Sequence, residues 1–201
     1  MTVADPAAFR ATSRLAAKAR WRWPEYLFWL LPVAAYFLFP NYLVLGSQVA
    51  IAGLFALSLD VILGYAGLVS LGHAAFFGFG AYTAGLISKY GWGEPFSGLL
   101  IAGAAAALLG WLSSFMIVRV QHLALIMITM GVGFLLHEAA NRASFITGGD
   151  DGLQGVNIWP LFGRFSFDLY GRTSHIYGVV VLFLVVLAVR RLTHSPLALS
   201  L

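Results

Sequence analysis

Long apolar runs, interrupted by short polar or glycine- and proline-containing breaks, make up most of this 201-residue sequence. Between Tyr26 and Ser88 the only fully charged residue is Asp60. A helix needs roughly 20 apolar residues to cross the hydrocarbon core of a bilayer, and several runs reach that length. The pattern predicts an all-α fold, a polytopic transmembrane helix bundle of about six spans.

Turn-forming residues set the predicted ends of these spans. Pro40-Asn41, the GYAG sequence at 64–67 and the segment 89–95 are typical breaks between helices. On this basis the sequence divides into a basic tail at 1–20 and a transmembrane domain at 21–201. The predicted spans lie near 21–39, 43–63, 68–88, 96–118, 123–140 and 175–189, with an external loop at about 141–172.

The distribution of basic residues predicts a cytoplasmic N-terminus. Five of the 12 Lys and Arg residues lie within 10–22, next to the first span, as the positive-inside rule expects. Six full spans would place eight basic residues inside and four outside. If 68–88 were a re-entrant loop, nine would lie inside and three outside, so charge counting leaves both topologies open. The length of 68–88 favours a full crossing.

Composition supports a membrane protein and excludes several kinds of chemistry. The chain is 60% hydrophobic and 10% charged, against about 45–50% and about 25% in soluble domains. It has no cysteine, which excludes disulfides, thiolate metal sites, iron–sulfur clusters and cysteine nucleophiles. The net charge of +4 is concentrated beside the first span, so it indicates topology, and no nucleic-acid partner is predicted.

The segment GLVSLGHAAFFGFGAYTAG, at 67–85, holds five glycines and four alanines among its 19 residues. Glycine weakens a helix in water by about 1 kcal/mol per position, but in lipid small residues let helices pack closely. Tight packing is one explanation, and a moving helix that lines a solute pathway is the other. His73 favours the pathway explanation, because an ionisable residue within a membrane span often has a functional role. The candidate pathway or packing residues are Gly67, Ser70, Gly72, His73, Gly78 and Gly80.

Three stretches carry a resemblance to a known family. LDVILGYAGLVSLGHAAFFGFGAYTAG, at 59–85, resembles the signature of LivM-type permease subunits of branched-chain amino acid ABC importers. TGGDDGL, at 147–153, is similar to the external-loop motif of that family. HSPLALSL, at 194–201, is similar to the entry of its cytoplasmic coupling region, and the resemblance is spread over most of 43–201.

The sequence departs from the family pattern in two places. Asp60 stands where the family leads us to expect asparagine. Family members also continue beyond the point that corresponds to Leu201, through a coupling loop and further helices. The chain is therefore expected to be an N-terminal portion of a permease.

The resemblance implies a multi-pass permease subunit in the bacterial inner membrane that imports branched-chain or related amino acids by alternating access. The partners it implies are a second permease subunit, two cytoplasmic ATPase subunits and a periplasmic substrate-binding protein, with the lipid bilayer around them. The sequence lacks the phosphate-binding pattern G-x-x-x-x-G-K-[ST], so ATP hydrolysis is expected on the separate ATPase subunits. Neither enzymatic activity nor a cofactor is expected of this chain.

The external-loop motif has two interpretations. Its residues are turn formers, which favours a surface turn, and the functional alternative is a docking or gating element at the outer mouth. A calcium site is not predicted, because the D-x-D-x-D-G spacing is missing. The candidate loop residues are Thr147, Gly148, Gly149, Asp150, Asp151 and Gly152.

Other functions compete with amino-acid import. The same machinery carries urea or short amides in closely similar importers. A haem-binding membrane oxidoreductase would need facing histidines such as His73 and His137, and a non-transporting anchor subunit is a further alternative. The sequence HEAAN at 137–141 begins like the zinc-protease motif H-E-x-x-H, but Asn141 replaces the second ligand, so no metal is predicted there.

Overall fold

The computed structural model describes residues 23–67, 70–117, 120, 123–168 and 170–193. The predicted tail at 1–20 and the motif at 194–201 lie outside the described residues. Within the described ranges the regular structure is helical and contains no strand, which confirms the all-α prediction. The helices are α1 (Trp23–Leu38), α2 (Leu43–Val61), α3 (His73–Lys89), α4 (Pro95–Ile117), α5 (Leu123–Arg142), α6 (Ser144–Thr147) and α7 (Arg172–Thr193).

Four of these helical stretches are long and apolar enough to cross a membrane. The remaining two predicted spans correspond to α1 and α3, which have 16 and 17 residues. At 1.5 Å per residue these helices rise only about 24 and 26 Å, less than the roughly 30 Å of a bilayer core. Their full crossing stays a prediction. The four long stretches are Pro40–Gly64, Pro95–Met116, Leu123–Arg142 and Arg172–Leu192.

Two predicted boundaries differ from the observed ones. The predicted span at 68–88 becomes helical only at His73, because α2 first ends in a π-helical turn, Ile62–Ala66, and Gly67 then takes a left-handed conformation with φ of 62°. The predicted sixth span, 175–189, is longer than expected: α7 has 22 residues. Polar residues at both of its ends continue the helix beyond the apolar run.

The described helices belong to two compact units, and the first contains residues 23–51 and 170–193. The ring of Trp29 on α1 meets Phe183 on α7 edge-on, with centroids 4.8 Å apart. Near the start of α1 and the end of α7, Glu25 forms an ion pair with Arg190 at 2.6 Å. These contacts show that α1 and α7 run antiparallel.

The second unit, residues 52–168, contains the end of α2, helices α3 to α6 and the loop that follows. The rings of Phe55 on α2 and Phe77 on α3 lie 5.5 Å apart, so α3 turns back along α2. A short turn then reverses the chain into α4, which packs closely enough that a Cβ on Gly80 would lie 3.6 Å from the Ala102 carbonyl oxygen. Helix α5 packs on the start of α3 around Gly72, and it also contacts α4. The helices α3, α4 and α5 therefore pack against one another.

Candidate functional site: an apolar cleft between α3 and α5

A cavity of about 1170 Å³ lies between one face of α3 and one face of α5. Its lining positions on α3 recur every three or four residues from 71 to 87, as expected for one helix face. On α5 the lining extends from Met130 to Asn141, and the loop after α5 supplies Thr147, Gly149, Asp150 and Gly152. We call this cavity the α3–α5 cleft.

The cleft is closed at one end by a direct contact of two backbones. A Cβ on Gly72, the residue before α3, would overlap the carbonyl group of Thr129 on α5. A Cβ on Gly133, one turn further along α5, would lie 3.5 Å from the Gly72 Cα. Thr129 is only 2% exposed. Glycine at 72 is therefore required for α3 and α5 to approach this closely.

The two helices diverge from this crossing towards their C-terminal ends. A Cβ on Gly78, six residues after Gly72, would have no heavy atom within 4 Å. Between the crossing and the loop the walls are mainly aliphatic and aromatic, and include Phe79, Leu86 and Phe134. The cleft is thus narrow where α3 begins and wide where it ends.

The predicted loop motif forms the rim of the wide end. The Thr147 hydroxyl is buried and lies within hydrogen-bonding distance of the carbonyl oxygens of Ala140 (2.5 Å) and Ala143 (3.0 Å). Gly148 has φ of 83°, and a Cβ there would overlap the Gly152 carbonyl. These constraints hold residues 149–151 in a single 3-10 turn. The motif thus forms a turn that borders the cleft, and its docking or gating role stays a prediction.

The loop beyond the motif is fixed to the C-terminal end of α3. Leu153 packs on Gly85, where a Cβ would lie 2.6 Å from the leucine Cδ2. The Ser88 hydroxyl donates to the Asn157 carbonyl at 2.6 Å. The Trp159 N–H donates to the Gly93 carbonyl at 2.8 Å. The rim therefore has a defined position relative to the α3 wall.

The six candidate residues in the glycine-rich segment do not share one surface. Gly72 and Gly78 line the cleft, whereas Gly80 faces α4. Gly67 occupies the left-handed position after the π-helical turn, and Ser70 lies in the connection that follows. The small residues thus serve three purposes: close contact with α5, close contact with α4, and a turn.

His73 pairs α3 with α2. Its Nε2 lies 2.7 Å from the Ser58 Oγ, and that hydroxyl also donates to the Phe55 carbonyl at 2.7 Å. A serine hydroxyl has one proton, so the histidine Nε2–H is the donor in the first bond. His73 is not one of the residues that line the cleft. The contact joins α3 to α2, and a pathway role for His73 stays a prediction.

The polar residues near the end of α5 pair with one another. In the described part of the chain, no group of three or more His, Asp or Glu side chains is placed to hold a metal ion. His137 lines the cleft near its wide end, with Nε2 3.4 Å from the Nδ2 of Asn141. Glu138 forms an exposed ion pair with Arg142 one turn on, at 2.8 Å.

A second close contact, in the first unit, had no signal in the sequence. His175 on α7 is 4% exposed, and its Nε2 lies 3.1 Å from the Pro32 carbonyl of α1. Its ring covers Gly46 on α2, where a Cβ would lie 2.7 Å from the His175 Cε1. His175 was predicted only to lie at one end of the sixth span. Thr129 and Gly133 were missed in the same way, because their partners are 57 or more positions away in the sequence.

Comparisons with known proteins agree with the motifs. The model of a family described as "Branched-chain amino acid transport system / permease component" matches residues 41–200. The chain is 32% identical over 164 residues to the high-affinity branched-chain amino acid transport system permease protein LivM of Escherichia coli (strain K12). It is 30% identical over the same length to the LivM protein of Salmonella typhimurium (strain LT2). Each alignment covers 70% of this chain and 38% of the relative. No solved structure matches the chain.

Proposed function

Because the chain belongs to the family of branched-chain amino acid transport permease components, we propose that it forms part of the membrane pathway of an ABC importer for branched-chain or related amino acids. It is a transporter subunit and not an enzyme. The chain spans 38% of the length of the relatives it matches. The solute, the partners and the transport cycle are therefore part of the proposal.

The α3–α5 cleft is the proposed solute path within this chain. Its volume of about 1170 Å³ exceeds that of common small-molecule sites, which measure about 300–1,000 Å³. An aliphatic side chain leaves water favourably for such walls, at about 25 cal/mol per Å² of apolar surface buried. The combination of apolar walls and a polar rim is the single observation that supports this site most directly.

The same walls favour an aliphatic amino acid over urea. Urea has no apolar surface to bury, and its amide groups would need hydrogen-bond partners along the whole path. Phe79, Leu86 and Phe134 offer none from their side chains, and the polar side chains among the walls are few: Tyr82, Thr83, His137 and Asn141. Urea and short amides remain the alternative cargo that an uptake assay must distinguish.

The shape of the cleft suits alternating access. At Gly72 the two helices meet through backbone atoms, so no side chain locks them in register, and they can tilt about this crossing. Opening the crossing while the rim closes would expose the path to the other side of the membrane. With the N-terminus in the cytoplasm, the crossing faces the cytoplasm and the rim faces the periplasm.

The proposed partners follow from the family. A second permease subunit would complete the pathway, two cytoplasmic ATPase subunits would drive the tilt, and a periplasmic substrate-binding protein would deliver the solute. The loop at 141–172 is the proposed contact for that binding protein. The proposed location is the inner membrane of a bacterium, in which the chain is a multi-pass protein.

The test is uptake in a strain that lacks the gene for this protein. Radiolabelled leucine and radiolabelled urea are supplied separately, before and after the gene is restored, and a variant of the ATPase partner that cannot hydrolyse ATP serves as the control. We expect restored, ATP-dependent uptake of leucine and no change for urea. Restored uptake of urea alone would show that urea, and not an amino acid, is the transported solute. Unchanged uptake of both solutes with the partners present would overturn the transport proposal.

A further inference from the structure

We propose that Asp150 recognises the protonated amine of the solute at the wide end of the cleft. The inference rests on the proposed function and adds a residue that selects one chemical group. Asp150 is exposed and lines the cleft, next to the apolar walls that would take the rest of the solute. A solute with an aliphatic part and an ammonium group could satisfy both surfaces at once.

The charge of Asp150 is available for a ligand. Asp150 takes part in neither the Glu25–Arg190 nor the Glu138–Arg142 ion pair. The other charged residue at this end of α3, Lys89, is not one of the residues that line the cleft. A carboxylate at the edge of an otherwise largely apolar cavity favours a positively charged group there.

The C-terminal ends of the helices near Asp150 also favour a positively charged group. Helices α3 and α5 both finish at the wide end, with last residues Lys89 and Arg142. The carbonyl groups at a helix C-terminus carry a partial negative charge, so both ends attract a cation and disfavour a carboxylate. Arg142 offsets part of this field, although its guanidinium is held by Glu138 at 2.8 Å. A zwitterion would consequently bind with its amine towards the rim.

The position of Asp150 is fixed by the turn that contains it. Gly148 is left-handed, Thr147 is bonded back to the end of α5, and Leu153 is packed on Gly85. A carboxylate on such a turn loses less freedom on binding than one on an unrestrained loop. Recognition by Asp150 therefore needs no refolding of the loop.

The neighbouring aspartate provides a matched control. Asp151 has the same charge and lies in the same 3-10 turn, but it is not one of the residues that line the cleft. Any effect that comes from the net charge of the loop, or from docking of a binding protein, should appear in Asp151→Asn as well as in Asp150→Asn. An effect that comes from contact with the solute should appear in Asp150→Asn alone.

The experiment measures equilibrium binding to the assembled importer in lipid nanodiscs, without the periplasmic binding protein. Radiolabelled leucine is the probe, and 4-methylpentanoate, which is leucine without its amine, is the competitor. In the wild-type protein we expect 4-methylpentanoate to bind about tenfold more weakly than leucine, a typical loss for a charge-assisted hydrogen bond. In Asp150→Asn this difference should disappear, whereas Asp151→Asn should keep it and Asp150→Glu should keep most of it.

The inference is overturned if the ratio of the two affinities is the same in Asp150→Asn and the wild type. It is also overturned if Asp150→Asn and Asp151→Asn lose the ratio equally. Size-exclusion profiles and melting temperatures show whether each variant assembles. If Asp150→Asn does not assemble, the test uses Asp150→Glu, which keeps the carboxylate but moves it. A wild-type importer that binds no leucine would instead overturn the proposed function, so the two failures are distinguishable.

Discussion

Gly72 lies against the backbone carbonyl of Thr129, with no side chain between α3 and α5 at their crossing. This contact joins residues that are 57 positions apart in the sequence. It explains why the cleft is closed at this end, since two backbones in contact leave no room for a solute. It also identifies a glycine whose replacement should disturb the packing of α3 on α5.

Gly72→Ala should lower the stability of the protein and its transport. The added methyl would overlap the Thr129 carbonyl, and backbone atoms cannot move aside as a flexible side chain can. We expect a loss of about 1–3 kcal/mol, as for other overpacked sites. The measurement is the melting temperature in nanodiscs together with leucine uptake. Gly78→Ala, at a position with open space, is the control and should behave like the wild type.

Gly78→Leu should slow transport without destabilising the fold. Its side chain would enter the cleft, where a Cβ at this position has no heavy atom within 4 Å, and would fill part of the proposed path. Gly103→Leu on α4, at an exposed position that also has open space, is the matched control. We expect normal membrane levels of both proteins, with leucine uptake reduced about tenfold in Gly78→Leu, equivalent to about 1.4 kcal/mol. Equal uptake by the two variants would contradict the cleft as the path.

His73→Gln should be milder than His73→Ala. Glutamine can still donate a hydrogen bond to Ser58, whereas alanine leaves that hydroxyl without its donor and removes the ring beside Phe55. We expect His73→Ala to lose about 1 kcal/mol of stability. The measurement is a double-mutant cycle with Ser58→Ala, read from melting temperatures. Strictly additive effects of the two substitutions would show that the bond contributes nothing.

Gly46→Ala should destabilise the first unit by displacing a buried histidine. The new methyl would lie 2.7 Å from the Cε1 of His175, which is bonded to the Pro32 carbonyl and has little room to turn. We expect a loss of about 1–3 kcal/mol. Gly178→Ala is the control, because its methyl would make an ordinary 3.4 Å contact with Ala50. The melting temperatures of the two variants should differ by several degrees, and equal values would contradict this packing.

Several features were predictable because they depend on local chemistry. The lengths of the apolar runs identified the long helices, since a segment in lipid must satisfy its backbone N–H and C=O groups by hydrogen bonds within itself. The glycines at 64–67 marked the break after α2, and the motif at 147–152 marked a tight turn. Both termini of α7 were predicted wrongly. Polar residues such as Arg172, the first residue of this helix, can extend a helix into the interface without an apolar signal.

The sequence by itself determined that this chain is helical, that it belongs in a membrane and that it contains an unusually small-sided segment at 67–85. The tertiary structure decided which neighbour each glycine meets: Gly72 contacts α5, Gly80 faces α4 and Gly78 faces an open cleft. It also brought the loop motif to the rim of that cleft. The physical reason is that lipid provides no hydrophobic force between helices, so their arrangement depends on how distant surfaces fit together, and a single helix does not encode the shape of its partner.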